Sequence, residues 1–406
     1  SVTAACCMAG VVWSRAVVQP APEALAAIPP WEELVGEVPA DSENAAVLYE
    51  RVFERIAMSW EQIRAVKLCL QSERPPDAQL AELEALVAEN AEVFALVHEA
   101  GKRPRCVYPL EPRDPFIRPR FVADVLEVVI LEVARALVLA DSGDVAGACT
   151  ALADALDCSR NPLRGLPASA TFFCEARGIN LTCACLRTIL PDAQVDAADT
   201  EPLEASLRRI DLRADLVTAL RGEGAWTLAL FDTVCGSDTA PSAGVRAQGP
   251  DLAEHPVICL RLSRKAFVED IADTIERASE PGVVTQTVPL HDVPDSDAPL
   301  QWAEVPEATT RSLLVARDTA TAWQRMSLIA LEIAHDGHAP RSLDSLRPAL
   351  GEDCIEDAFS GSTFRYARTG DGFVLYSLGR DLDDDGGVPQ HPMGTGFEGD
   401  LVWRTG

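Results

Sequence analysis

Aromatic and basic side chains are scarce in this sequence of 406 residues. Aromatic residues make up 6% of the chain and hydrophobic residues 48%, so we expect a core of small and aliphatic side chains, which is typical of packed helices. Only 35 lysines and arginines oppose 63 acidic residues, for a net charge of −28. A polyanion without a basic stripe repels phosphates, so the composition argues against nucleic-acid partners.

The sequence also lacks the short motifs of catalytic or cofactor chemistry. It contains no G-x-S-x-G elbow, no Walker loop and no dinucleotide fingerprint. None of its 12 cysteines forms a C-x-x-C pair, so we interpret the cysteines as small buried residues, with a few disulfides as the alternative in an exported chain. We interpret His335 and His338 as a polar helix end. Glu127 and Glu132, in an apolar helix, are predicted to face solvent.

Long apolar runs are rare as well. Residues 2–13 form one, but it is shorter than the roughly 20 residues that span a bilayer. We interpret residues 1–19 as the remnant of a signal anchor or signal peptide, with a buried N-terminal helix as the alternative. The first interpretation predicts a location outside the cytoplasm, in the periplasm or cell envelope, with anchoring to the inner membrane as one option.

Apolar residues at helical spacing dominate residues 20–280, which we predict to be a multi-helix domain of successive hairpins, similar to a short solenoid. The segment from Pro281 to Pro306 carries five prolines, and we place a linker at 281–305. The predicted helices cover residues 42–70, 77–101, 120–140, 145–158, 162–189, 200–220, 223–234 and 263–279.

Residues 306–406 have a different pattern, which predicts a small α+β domain. A long amphipathic helix is expected over 306–334. Two strand-like runs, 363–368 and 372–378, flank an Asp-Gly turn, which is a strong hairpin signal, and 400–403 is a candidate third strand. The predicted fold class is therefore mainly α, with a long helix packed on a short antiparallel sheet at the C-terminal end.

An acidic loop follows the second predicted strand. Asp381, Asp383 and Asp385 alternate along it and Gly386 permits a sharp turn. Calcium takes about six to eight oxygen ligands, and alternating carboxylates on a turning loop converge on one point. An EF-hand is rejected because Pro392 stands where that loop needs a glutamate. A solvated acidic turn is the alternative to a calcium site.

The C-terminal region has a characteristic order of motifs. They are Asp336-x-His338, Pro340, Ser342-Leu343, Leu346, Asp357-Ala-Phe-Ser-Gly361, Phe364-Arg-Tyr366, Gly372-Phe-Val-Leu-Tyr-Ser377, Gly379, Asp381 and Asp384-Asp-Gly-Gly387. This order resembles the C-terminal domain of type II secretion major pseudopilins, and it is more closely similar to uncharacterised planctomycete proteins that join such a domain to a helical region behind an N-terminal membrane anchor.

In major pseudopilins the loop after the Tyr-Ser-x-Gly strand binds calcium. The resemblance therefore implies calcium as a cofactor, with Asp381 as the best ligand and Asp383, Asp385 and Asp400 as further ligands. The chain departs from the family in the roughly 300 residues that precede this domain. It also has Ala358 where the family has proline after the aspartate.

These observations lead to one expected function and two alternatives. We expect a non-enzymatic structural or protein-interaction protein outside the cytoplasm, with a protein partner and a calcium-stabilised C-terminal domain. The first alternative is a subunit related to type II secretion or pili. The second is a hydrolase whose site in the helical domain leaves no motif and uses Glu127, His98 or a cysteine.

Overall fold

The computed structural model describes residues 19–56, 58–72, 75–109, 121–192, 195–236, 257–280, 307–370, 372–389 and 399–405. Within these ranges the chain is mainly helical and carries a three-stranded antiparallel sheet. Short 3₁₀ turns lie at Leu190–Asp192, Leu343–Leu346 and Asp353–Ile355. The helices are α1 (Pro22–Ala26), α2 (Trp31–Val35), α3 (Ala45–Phe53), α4 (Trp60–Gln71), α5 (Asp77–Glu89), α6 (Ala91–Gly101), α7 (Phe121–Asp141), α8 (Val145–Gly165), α9 (Ser169–Ile189), α10 (Ala197–Arg208), α11 (Leu212–Gly236), α12 (Val257–Ser279), α13 (Glu307–Asp336) and α14 (Arg347–Leu350), and the strands are β1 (Arg365–Thr369), β2 (Gly372–Ser377) and β3 (Leu401–Thr405).

Three of the predicted helices are each divided in the structure. The segment 42–70 contains α3 and α4 because Ser59 begins a new helix. The Ser59 hydroxyl accepts the Gln62 N–H at 3.2 Å, and the Gln62 side chain accepts the Ser59 N–H at 2.8 Å. This reciprocal cap is a sequence-level helix start that helical spacing alone overlooks. The segment 77–101 is divided at Asn90 into α5 and α6, without a side-chain cap of that kind. The segment 200–220 is divided between α10, which ends at Arg208, and α11, which begins at Leu212 and continues through the predicted helix 223–234 to Gly236.

Other helix boundaries also differ from the prediction. The helix expected over 162–189 is wrong at its start, because α8 continues to Gly165 and α9 begins at Ser169. The helix predicted over 263–279 is also wrong at its start, because α12 begins at Val257. The first of these errors arises because the prediction treats Pro162 as a helix break, whereas this proline lies inside α8.

Helices α7, α8 and α9 pack on one another at the centre of the fold. Leu131, Leu152 and Ile179 are fully buried at their contacts. A β-carbon built at Gly178 would lie 2.3 Å from the Ser159 Cβ, closer than real β-carbons approach other atoms. The close approach of α8 and α9 therefore requires glycine at this position.

Helix α13 packs chiefly on α9 and also contacts α10, α11 and the sheet. The Gln324 amide donates to the Leu207 carbonyl at 2.7 Å and to the Ile210 carbonyl at 3.1 Å. Leu207 lies in the last turn of α10 and Ile210 just after it, where backbone carbonyls have no partner within the helix. One continuous apolar cluster runs from α1 to β3. The long helix thus connects the sheet to the helical part of the chain.

The sheet has the order β1-β2-β3, with both pairs antiparallel. Leu375 in the middle strand lies opposite Tyr366 on one side and Trp403 on the other, and Leu375 and Trp403 are fully buried. The predicted hairpin and third strand are confirmed. The hairpin register pairs Thr369 with Gly372, as a two-residue loop between the strands requires.

Within the described ranges, no helix combines the length and the apolar character needed to cross a bilayer. The predicted N-terminal remnant 1–19 lies outside the described residues except for Gln19, and the predicted linker 281–305 lies outside them as well. The division into domains stays a prediction.

Candidate metal centre

A buried carboxylate holds the start of the acidic loop. Asp357 is 2% exposed, and its carboxylate accepts the Ser377 hydroxyl at 2.6 Å and the Leu378 N–H at 3.3 Å. It also accepts the Phe359 N–H at 3.1 Å and the Ser360 hydroxyl at 2.9 Å. Hydrogen bonds to a charged acceptor are about twice as strong as neutral ones, so this residue fixes where β2 ends and the loop begins.

The acidic loop then folds back towards the chain segment that precedes β3. Asp381 Oδ2 accepts the Gly399 N–H at 3.2 Å, and its Oδ1 accepts the Asp383 N–H at 3.4 Å. Leu382 adopts a left-handed conformation with φ of 62°, which is uncommon for a residue other than glycine, and its side chain packs on the core. The Asp383 side chain is exposed.

Asp400 is the most buried carboxylate of the candidate site. It is 1% exposed, and its N–H donates to the Val388 carbonyl at 3.0 Å. Its Oδ2 accepts the Gly387 N–H at 2.8 Å, while its Oδ1 has no hydrogen-bond partner among the described residues. A buried carboxylate oxygen without a hydrogen-bond donor or a cation beside it lowers the stability of the folded state. Asp400 Oδ1 is such an oxygen.

The electrostatic surroundings of Asp400 are unfavourable to its charge. Burial raises the pKa of the Asp400 carboxyl, and the hydrogen bond from Gly387 opposes that rise. The charges of Asp385, Asp384 and Asp381 raise this pKa further. Three exposed carboxylates therefore lie close enough to act on one buried carboxylate, and a bound cation would relieve their mutual repulsion.

Asp384 has a different environment, although it lies in the same loop. Its Oδ1 accepts the Tyr376 hydroxyl at 2.9 Å, and its Oδ2 accepts Arg365 Nε at 3.1 Å. These bonds, the tyrosine first, lower the pKa of Asp384, and burial together with Asp384 raises the pKa of Tyr376 to about 12. Sequence reasoning did not include Asp384 among the ligands, and the pairing of Arg365 with Tyr376 across the predicted hairpin was the available signal.

The charges of Asp381, Asp384 and Asp385 therefore act on Asp400, and Asp381, Asp383 and Asp385 are all exposed. Among the described residues, no three or more His, Cys, Asp or Glu side chains form a group that could hold a metal ion. The unpartnered Asp400 Oδ1 and the three nearby carboxylates are hard oxygen donors of the kind that calcium prefers. Backbone carbonyls and water commonly complete such a site. The calcium site at Asp381, Asp383, Asp385 and Asp400 stays a prediction.

Comparison with protein-family models, with characterised proteins and with solved structures gave no match. The interpretation of this chain therefore depends on its own geometry.

A buried acidic group in the helical part corrects one prediction. Glu132 was expected to face solvent, but it is 0% exposed. Its Oε2 accepts Arg135 Nη1 at 3.3 Å, and its Oε1 has no partner among the described residues. Burial raises the pKa of Glu132 to about 8, the Arg135 charge lowers it, and Asp154 raises it. Asp154 itself accepts His98 Nδ1 at 2.9 and 3.0 Å.

A second buried ionic group joins α8, α9 and α11. Arg160 Nε donates to Glu175 Oε1 at 2.9 Å, and its Nη2 donates to Asp215 Oδ2 at 3.4 Å. Glu175 is 0% exposed, and burial followed by the Asp215 charge raises its pKa well above the usual range. The ion pair between Arg160 and Glu175 could not be predicted from the sequence of α9, because a single buried glutamate does not change the helical spacing of apolar residues.

The eight cysteines whose side chains the structure describes are buried free thiols, as the sequence interpretation expected. Burial raises their pKa values, for example to about 12 at Cys106, Cys149 and Cys183, so the thiolate is strongly disfavoured. The eight residues are Cys69, Cys106, Cys149, Cys158, Cys174, Cys183, Cys185 and Cys354.

The histidines at the end of α13 differ from each other. His335 Nε2 lies 2.8 Å from the Thr200 hydroxyl and 3.4 Å from Glu204 Oε1, so it has a carboxylate neighbour that sequence reasoning did not anticipate. His338 is exposed, and its Nδ1 lies 2.7 Å from the Asp336 carbonyl.

Glu127, which the hydrolase alternative used, is half-buried on α7. That alternative stays a prediction.

Proposed function

We propose that this chain is a non-enzymatic structural or interaction protein that works outside the cytoplasm, and that calcium stabilises its C-terminal region. The expected partner is a protein, since the net charge of −28 disfavours phosphate-rich partners. The extracytoplasmic location is supported by the resemblance to pseudopilin heads and by the apolar run at residues 2–13. The term pseudopilin-like is likewise part of this proposal.

The unpartnered Asp400 Oδ1 is the observation that carries the calcium proposal. A carboxylate that is 1% exposed, with one oxygen unsatisfied and three acidic neighbours, is unfavourable without a cation. Protonation of Asp400 would be the other way to relieve it. Calcium binding exchanges this penalty for ion–carboxylate contacts, and its energy is added to the stability of the fold.

The arrangement of helix, hairpin and third strand supports the pseudopilin-like part of the proposal. Helix α13 contacts β2 and β3, and Asp357 joins the turn before β1 to the end of β2. The acidic loop and the segment before β3 are then held together by the parallel bridge between Pro389 and Asp400. A cation at this junction would link the loop to the sheet rather than to the helices.

Thermal unfolding of the whole chain in EDTA and in 5 mM calcium tests the proposal. Extracellular calcium modules bind with dissociation constants of roughly 10⁻⁴ to 10⁻³ M. A constant of about 10⁻⁴ M would add about 2 kcal/mol at this concentration, which corresponds to a rise in Tm of roughly 2–5 °C. Magnesium at the same concentration should give a smaller rise, because it requires a tighter octahedral geometry.

Two variants and one control assign the effect to the site. Asp381→Asn and Asp400→Asn should each lose most of the calcium-dependent rise. Asp336→Asn removes the same charge from an exposed position at the end of α13 and should keep the full rise. If Asp400→Asn does not fold, Asp381→Asn, which changes an exposed side chain, still decides the question. An unchanged Tm for the native chain, or an equal loss in Asp336→Asn, contradicts the calcium proposal.

A further inference from the structure

A cleft of about 360 Å³ separates the end of α9 from the outer edge of the sheet. Its volume lies in the range of small-molecule sites. Of the described residues that line it, none is acidic and two are arginines, Arg187 and Arg404. In a chain with 63 acidic residues, a cleft lined only by cationic, neutral polar and apolar groups is a local reversal of charge. The apolar walls come from Leu70, Pro191, Pro389 and Val402.

Arg187 is a largely buried cation that lacks a carboxylate partner among the described residues. Its Nη1 donates to the Val402 carbonyl at 3.1 Å, and its guanidinium lies over the Trp323 ring, 5.3 Å from the centroid. Burial lowers the pKa of Arg187, and no acidic neighbour opposes that effect. The dipole at the C-terminal end of α9 offers it only a partial negative charge. A guanidinium has five N–H donors, so several remain for a ligand.

Arg404 lies on β3, on the other side of the cleft. Its Nη2 donates to the Gly387 carbonyl at 3.3 Å, and no described carboxylate pairs with it. Thr405 also lines the cleft, and its Oγ1 accepts the Phe373 N–H at 3.2 Å, which leaves its hydroxyl hydrogen free to donate. Donors therefore approach the cleft from both the helix and the strand.

We propose that this cleft binds a small organic anion, with its carboxylate or phosphate oxygens between Arg187 and Arg404 and its apolar part against the walls formed by Leu70 and Val402. Planar guanidinium groups match the oxygens of such anions and bind them through two parallel hydrogen bonds. The apolar walls favour an anion with a hydrocarbon portion over a bare inorganic ion. The ligand also supplies the negative charge that Arg187 lacks.

Binding of matched probes to the whole chain tests this proposal. Hexanoate and hexanamide have the same shape but differ in charge, and inorganic phosphate tests an anion without an apolar part. Titrations followed by isothermal calorimetry should be run in EDTA, so that their outcome is independent of calcium. We expect hexanoate to bind at least tenfold more tightly than hexanamide, and phosphate to bind more weakly than hexanoate.

Three variants and one control distinguish a binding cleft from a structural pair of arginines. Arg187→Met and Arg404→Met should each weaken hexanoate binding at least tenfold, and Arg187→Lys should weaken it less. Arg177→Met, on the exposed face of the same helix, should bind like the native chain. If Arg187→Met does not fold, the exposed Arg404 still gives a result. Three outcomes would each overturn the proposal. They are equal affinity for hexanoate and hexanamide, no binding of hexanoate to the native chain at about 50 mM, and a loss of affinity in Arg177→Met as large as that in the other variants.

Discussion

Glu132→Gln is the substitution for which the structure makes the sharpest prediction. The Glu132 carboxyl is fully buried on α7, with one oxygen unpartnered among the described residues. Glutamine has nearly the same shape and carries no charge. At low pH, where Glu132 is protonated in both the folded and the unfolded chain, the variant and the native protein should have similar stability. At higher pH, where Glu132 ionises in the unfolded chain, the variant should be the more stable of the two.

The magnitude follows from the pKa values of the two states. Burial raises the folded-state pKa of Glu132 from 4.5 to about 8, despite the opposing charge of Arg135. The contribution of this group to stability is thus fully present below pH 4.5, and it declines as pH rises until it is lost above pH 8. At about 1.4 kcal/mol for each pKa unit, the loss is roughly 5 kcal/mol over this window, an upper value because water can enter the site.

Urea unfolding at pH 5, 6.5 and 8 measures this difference. The gap between Glu132→Gln and the native chain should be small at pH 5 and should grow to at least about 2 kcal/mol in favour of the variant at pH 8. Glu127→Gln, a half-buried glutamate on the same helix, is the matched control and should follow the native curve. Parallel pH curves for Glu132→Gln and the native chain would show that the buried carboxyl is compensated and that the reasoning is wrong.

Two further substitutions test the packing that positions the site. Gly178→Ala should lower stability by about 1–3 kcal/mol, because the new methyl group would collide with Ser159 on α8 and the helices must separate. Its check is the shift in urea midpoint, and no shift would mean that α8 and α9 have slack at this contact. Asp357→Asn should cost roughly 2–4 kcal/mol, because an amide cannot accept from the Ser377 hydroxyl, the Leu378 N–H and two further donors as a carboxylate does. A melting temperature equal to that of the native chain would contradict this role.

Much of the helical part could be predicted from residue spacing. Helix α7 was placed at its observed position because its apolar residues repeat at helical intervals between two clear breaks. The divisions at Ser59 and Asn90 were not recognised, since the apolar repeat continues across them, and the interruption at Ser59 comes from a local reciprocal cap. The course of α8 through Pro162 was also missed. The apolar repeat records which face is buried, but it does not record where backbone hydrogen bonds end.

The candidate site was only partly predictable. Alternation of aspartates pointed to Asp381, Asp383 and Asp385, but it could not show that Asp400 is buried with one unpartnered oxygen. Nor could it show that Asp384 is held by Tyr376 and Arg365. Both features depend on pairing between distant residues, Arg365 with Tyr376 in the hairpin and Pro389 with Asp400 in a bridge.

Sequence alone determined the mainly helical character, the β-hairpin, the third strand and the position of the acidic loop. Each of these depends on residues that are neighbours along the chain, and local spacing records such interactions directly. Only the tertiary structure decided that Glu132 is buried, that Arg187 reaches the carbonyl of Val402 on β3, and that Asp400 has an unsatisfied oxygen. Burial and charge compensation depend on atoms brought together from distant parts of the chain, so no local pattern contains them.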